Sequence, residues 1–179
     1  AVVVNAGDGW HQHPTQALLD AYTARSHLGD LAGRRIAIVG DVKHSRVARS
    51  NIEMFTALGA EVTLVAPPTL LPPDTGAWDV QVSHELDPVL PEVDICYLLR
   101  MQNERMTEAL VPTLREYTAG FGLTSERADR LRTGALIMHP GPMNRGVEIA
   151  SEVADRPNAV ITEQVANGVD TYSFRQPLG

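Results

Sequence analysis

Arg35-Ile36-Ala37-Ile38-Val39-Gly40-Asp41-Val42-Lys43-His44-Ser45-Arg46 runs from an aliphatic segment through a glycine into a polar helix start. Residues 35–39 have strand length and aliphatic content. Residues 45–58 then carry Val47, Ala48, Ile52, Phe55 and Leu58 at helical spacing, and Gly59 supplies the stop. Residues 61–66 return as a second strand. A strand, a helix and a strand in succession form the unit of a parallel sheet whose helices cover its faces.

Working outward, residues 80–83, 94–99 and 135–139 have the same strand character. Residues 104–114 are helix-compatible, 124–131 read as a capped short helix, 147–153 as another helix and 159–162 as a short strand. Residues 67–73, rich in proline, read as a stiff surface loop. The fold class expected is α/β: a doubly wound parallel sheet in three αβα layers. Upstream, His13-Pro14-Thr15-Gln16 opens a helix that ends near Gly29, with Pro14 at the first helical position, where a missing N–H costs nothing. Residues 1–29 are therefore expected to be an entry segment joining residues 30–169, the main α/β domain, to another domain. Residues 170–179 form a tail with little helical pattern.

The 179 residues suffice for one sizeable core. The net charge of −7, with basic residues scattered, argues against nucleic acid, which demands a concentrated cationic face. No stretch approaches the roughly 18–20 apolar residues of a membrane span, so no membrane partner is expected. Cys96, the single cysteine, lies in an apolar run and reads as a buried inert thiol in a reducing, cytoplasmic setting.

In such sheets ligands bind beyond the carboxyl ends of the strands, which selects residues 40–46, 67–68, 100–105 and 139–145. The first loop stands where a dinucleotide site would lie, but the G-x-G-x-x-G spacing is missing; it brings Arg46 to a helix start instead. Arg100 and Gln102 leave the strand at 94–99 on one side, with Glu104 and Arg105 following. In His139-Pro140-Gly141-Pro142-Met143-Asn144-Arg145 two prolines remove donors and leave carbonyl oxygens as fixed acceptors, suited to an NH2 group. His13 and Gln16 stand one turn apart at a helix N-terminus, where unpaired N–H groups favour an anion. Two arginines hold two carboxylates through charge-assisted hydrogen bonds, each contributing about 1.5–3 kcal/mol. Together these groups describe a dicarboxylate meeting a phosphorylated amide. A rigid structural turn or a surface salt-bridge cluster remains the alternative for each segment taken alone.

These segments, N-A-G-D-G-x3-H-P-T-Q-x-L-L-D, G-D-x-K-x-x-R, R-x-Q-x-E-R and H-P-x-P-x-x-R, resemble in order and spacing the aspartate carbamoyltransferase family, over roughly residues 1–168. The resemblance implies transfer of a carbamoyl group from carbamoyl phosphate to the α-amine of L-aspartate, in pyrimidine biosynthesis, without metal or organic cofactor. It implies that His13 is the catalytic contact to the carbamoyl oxygen, not assigned as a general base, and that Gln16 meets the carbamoyl amide. Arg46 would bind the aspartate α-carboxylate. Arg100 and Gln102 would hold the acceptor, with Arg105 supporting its β-carboxylate side. The backbone at Pro140, Gly141 and Pro142 would meet the carbamoyl NH2. A homotrimer of complete chains, with regulatory subunits as further partners, is what the family implies.

The sequence departs from the family in two places. No Ser-Thr-Arg-Thr phosphate segment is present, and residues 170–179 stand where an apolar C-terminal helix is expected. Both departures lead to the expectation that the isolated chain does not turn over. Ornithine-type carbamoyltransferases are the nearest alternative; they carry His-Cys-Leu-Pro where this chain has His139-Pro140-Gly141-Pro142. A non-catalytic α/β binding module is the alternative from another class.

Overall fold

The computed structural model describes residues 12–101 and 113–173. Its strands are β1 (Arg35–Val39), β2 (Glu61–Val65), β3 (Val80–Ser83), β4 (Ile95–Leu98) and β5 (Leu136–Met138). They make one sheet in the order β3-β2-β1-β4-β5, and every pairing in it is parallel. All five expected strands are present: β1 and β3 have the expected bounds, and β2, β4 and β5 are shorter by one or two residues. The chain order reverses between β1 and β4, so loops leaving these two strands diverge and open a crevice there.

Helices α1 (Pro14–Leu28), α2 (Arg46–Ala57), α3 (Leu114–Phe121), α4 (Ser125–Ala128), α5 (Ser151–Ala154) and α6 (Ile161–Ser173) flank the sheet. Because side chains alternate along a strand, each strand feeds two cores. Ile36, Ile38, Leu64, Ile95 and Tyr97 pack with Ala24, Ile52 and Phe55 of α1 and α2. Ala37, Val39, Cys96, Leu98 and Ile137 pack on the other face with Leu90, Leu123, Val153 and Ile161. Both faces of the sheet are covered, giving the expected three-layer α/β fold. Cys96 is buried, and desolvation pushes its thiol up to about 12, as an inert structural cysteine requires.

Local chemistry sets the helix ends. Ser45 caps α2 by accepting from Ala48 N at 3.1 Å, and Gly59, at φ 79°, turns the chain out of it. Thr113 and Thr124 cap α3 and α4 in the same way.

Four expectations change. Residues 147–153 are not one helix: Gly146 N bonds Ile149 O at 2.7 Å, and Leu123 N bonds Glu148 O at 3.0 Å. These bonds commit the backbone to a bridge before α5 begins at Ser151. Residues 159–162 are not a strand. Val160 N donates to Ile137 O and Ile137 N to Asn158 O, a single bridge that covers the open edge of β5, and the chain then turns into α6. That helix continues to Ser173, although helical pattern is weak from Asp170 onward. Residues 67–73 are not a purely surface loop, since Leu70 and Leu71 are buried and Leu70 O accepts from Lys43 N at 2.9 Å. The helix expected over 104–114 lies mostly outside the described residues; α3 starts at Leu114 and runs beyond it. No helix among the described residues is long and apolar enough to cross a membrane.

Candidate functional site

Helix α1 begins against α2. His13 N donates to Ser50 Oγ at 2.8 Å, and Ser50 lies one turn beyond Arg46, the first residue of α2. On the ring, Nδ1 stands 3.3 Å from Thr15 Oγ1 and faces Gln16 N at 3.4 Å. An Nδ1 that accepts leaves the ring proton on Nε2, which is then the available donor. Burial lowers the His13 pKa, the positive charge of Arg46 lowers it further, and a backbone hydrogen bond offsets part of this. The imidazole is thus held neutral beside a guanidinium.

The loop before α2 is pinned from within. Asp41 Oδ1 accepts from His44 N at 3.2 Å and pairs with His44 Nδ1 at 2.9 Å. This fixes the path from β1 to Arg46, so the arginine's starting point does not depend on a flexible turn.

The loop after β5 is built around a buried pair. His139 and Glu148 are both fully buried. His139 Nδ1 accepts from Gly141 N at 2.9 Å, so its Nε2–H faces Glu148 Oε1 at 3.0 Å. Glu148 Oε1 also accepts from Asn144 N at 2.6 Å. Asn144 Nδ2 reaches Met101 O at 2.7 Å, joining this loop to the segment leaving β4. Gly141 has φ 63°, in the left-handed region that glycine tolerates, and the Gly141–Pro142 peptide is cis.

His13, Gln16 and Pro140 line one cleft of about 330 Å³, together with Thr15, Leu19, Gln164, Val165 and Gly168. Expected residues from two distant parts of the sequence therefore meet. Arg46 stands close enough to act on His13. Gly141 and Pro142 lie on the same loop without lining that cleft. Arg100 is exposed just past β4, next to Met101 and so tied through it to Asn144. Gln102 and Arg105 lie outside the described residues. Arg145, which closes the His-Pro motif, is engaged elsewhere: it makes a two-pronged contact with Asp155 at 3.0 and 2.8 Å on the surface. Among the described residues, no three His, Cys, Asp or Glu side chains are grouped as a metal site needs.

Residues 32–173 match the family described as Aspartate/ornithine carbamoyltransferase, Asp/Orn binding domain. The chain belongs to the aspartate/ornithine carbamoyltransferase family. It is 64% identical over 167 residues to the aspartate carbamoyltransferase catalytic subunit of Acidothermus cellulolyticus, covering 93% of this chain and 52% of that protein. It is 56% identical to the Streptomyces coelicolor catalytic subunit, covering 94% of this chain and 54% of that protein. Thus it spans about half the length of these relatives. Among solved structures it resembles Trypanosoma cruzi aspartate transcarbamoylase in complex with carbamoyl aspartate and phosphate. That match has a TM-score of 0.79 and 31% identity, covering 93% of this chain and 55% of that one. The same enzyme in complex with N-(phosphonacetyl)-L-aspartic acid gives a TM-score of 0.79 at 30% identity, with 93% and 56% covered.

Within this family member, three buried polar residues that hold the cleft's residues in place are not singled out by the sequence: Asp20, Gln164 and Glu148. Asp20 closes the first quoted motif, and a carboxylate among the apolar positions of a helix was the available signal. Gln164 and Glu148 carry no such signal, because they sit among residues whose local pattern suggested other elements.

The proximity of Arg46 to His13 is directly measurable. Arg46→Ala is expected to raise the His13 pKa part of the way toward 6.5, since burial, the larger cause, remains. An NMR titration of the ring protons reads this, and an unchanged value would place the two groups in separate environments. The folded pKa lies below the unfolded one, so His13 lowers the stability of the folded state as pH falls through 6.5 toward the folded value.

Proposed function

We propose that this chain is the aspartate-binding half of an aspartate carbamoyltransferase catalytic chain. The complete enzyme would transfer the carbamoyl group of carbamoyl phosphate to the α-amine of L-aspartate, giving N-carbamoyl-L-aspartate and phosphate. The observation that carries this reading is the shared cleft of His13, Gln16 and Pro140, with Arg46 beside it.

The chemistry follows from those groups. The neutral His13 offers an Nε2–H to the carbamoyl oxygen, where negative charge grows as the aspartate amine attacks the carbonyl carbon. Gln16 and the carbonyls at Pro140, Gly141 and Pro142 receive the carbamoyl NH2. Arg46 holds the α-carboxylate, and Arg100, Gln102 and Arg105 the remainder of the acceptor. The tetrahedral intermediate collapses by breaking its C–O bond to phosphate, and the departing phosphate takes the amine proton. Positioning of this kind supplies roughly 7–11 kcal/mol of the barrier reduction. The reading uses no metal or organic cofactor. It places the complete chains in a cytoplasmic homotrimer, with regulatory subunits as candidate partners, and expects the isolated chain to bind without turnover.

Titration calorimetry with N-(phosphonacetyl)-L-aspartic acid tests this. Weak binding is expected for the wild type, falling about 10- to 100-fold in Arg46→Ala and in Arg100→Ala, the loss of charge-assisted hydrogen bonds of about 1.5–3 kcal/mol. Absence of binding in a folded wild-type sample would remove the half-site reading for this chain. Binding that survives both substitutions would remove the assigned acceptor site.

A further inference from the structure

Asp20 is fully buried on α1 and takes no part in the transfer of the carbamoyl group. Four side-chain donors converge on its carboxylate. Gln16 Nε2 and Gln164 Nε2 reach Oδ1 at 3.0 and 2.7 Å. Asn51 Nδ2 and Tyr97 Oη reach Oδ2 at 2.9 and 2.6 Å. Desolvation raises the Asp20 pKa, and the four hydrogen bonds offset only part of that rise. A carboxyl accepting four bonds has no oxygen left to carry a proton as a donor, so the geometry is that of an acceptor-only group.

That has a directional consequence. A carboxylate accepts only, so each amide facing it must present its NH2. The Gln16 side chain is therefore oriented with Nε2 toward Asp20, and its carbonyl Oε1 is left for the cleft that Gln16 lines. Gln164 is fixed by the same logic from both ends, since its Oε1 accepts from His139 N at 2.9 Å. One carboxylate oxygen thus connects the helix side of the cleft, through Gln16, to the loop side, through Gln164 and His139 to Pro140.

We infer that Asp20 is a positioning residue: it fixes Gln16 as a hydrogen-bond acceptor and ties it to the His139–Pro140 loop, so that the cleft selects a ligand carrying NH2 over one carrying CH3. This deepens the half-site reading above and rests on it for the identity of the ligand. The orientation of Gln16 can be tested without any ligand.

Two measurements decide the matter. The first is solvent exchange of the side-chain amide protons by NMR in the wild type, Asp20→Asn and Tyr97→Phe. Gln16 and Gln164 amide protons are expected to exchange slowly in the wild type and in Tyr97→Phe, which touches only the other oxygen. In Asp20→Asn they lose protection, while Asn144 Nδ2, bonded to Met101 O, keeps its own. A rapidly exchanging Gln16 amide in folded wild type overturns the assignment, whether or not Asp20→Asn folds. The second is NMR-monitored binding of phosphonoacetamide against 2-oxopropylphosphonate, which differ in NH2 for CH3. The wild type is expected to favour the amide about tenfold, the scale of one or two neutral hydrogen bonds. Asp20→Asn brings the ratio near one while binding of the ketone is unchanged. A purely structural role would weaken both ligands alike and leave the ratio intact, overturning the proposal. If the wild type binds neither phosphonate, the carbamoyl contacts assigned to His13 and Gln16 fail in this chain, and the exchange measurement still decides the role of Asp20.

Discussion

Glu148→Ala is expected to destabilise the chain by about 2–4 kcal/mol, because two donors lose their acceptor at about 1–3 kcal/mol each, offset in part by removal of the buried Oε2, which has no hydrogen-bond partner among the described residues. Glu148 has no exposure, and its Oε1 accepts from both His139 Nε2 and Asn144 N. Alanine removes that acceptor and leaves the buried His139 Nε2–H and the half-buried Asn144 N–H without it. The damage should be concentrated in residues 139–144. His139 Nδ1 holds Gly141 N, and a ring released at Nε2 no longer holds its Nδ1 in place. Chemical denaturation measures the stability loss, and amide exchange localises it. A loss below about 1 kcal/mol would mean that the loop is held by its prolines alone.

Gly40→Ala is the second large effect, about 2–4 kcal/mol from strain and overpacking together. Gly40 has φ 121°, a conformation that side-chain-bearing residues rarely adopt, and a Cβ there would meet Tyr117 Oη at 2.9 Å and Leu99 Cβ at 3.2 Å. The site matters because Gly40 is the pivot from β1 into the loop that delivers Arg46. Among the described residues Tyr117 Oη is buried without a hydrogen-bond partner. Tyr117→Phe should therefore be close to neutral by itself and should recover part of the Gly40→Ala loss. A double-mutant cycle is expected to show coupling of about 1 kcal/mol or more. Strictly additive effects would show that backbone strain, not the clash, dominates.

Much of this molecule was legible in the chain. The strands are short aliphatic runs, and their burial on both faces is what a parallel sheet demands. The α2 boundaries were legible because Ser45 and Gly59 act on their immediate neighbours. His13, Gln16 and Pro140, which line one cleft, could be singled out because a helix start and a proline-stiffened turn have local chemical meaning.

Where the sequence misled, long-range bonds outweighed local pattern. The segment 147–153 reads as a helix, but Leu123 and Ile149 form a bridge, and a backbone bonded to a distant segment cannot also close helical turns. Weak pattern after Asp170 did not end α6, whose start packs against the sheet at Ile161.

The layers, the parallel strands and the residue types offered at the strand ends are encoded locally, because each follows from periodicity within a few residues. Which of those groups share a cleft, and which way their amides face, depends on long-range packing. Arg145 stands in the same motif as Pro140 yet pairs with Asp155 on the surface. Asp20 and Gln164, far apart in the chain, meet at 2.7 Å. Such pairings arise from how α1 and α6 dock on a common sheet, and no local spacing encodes the distance between them.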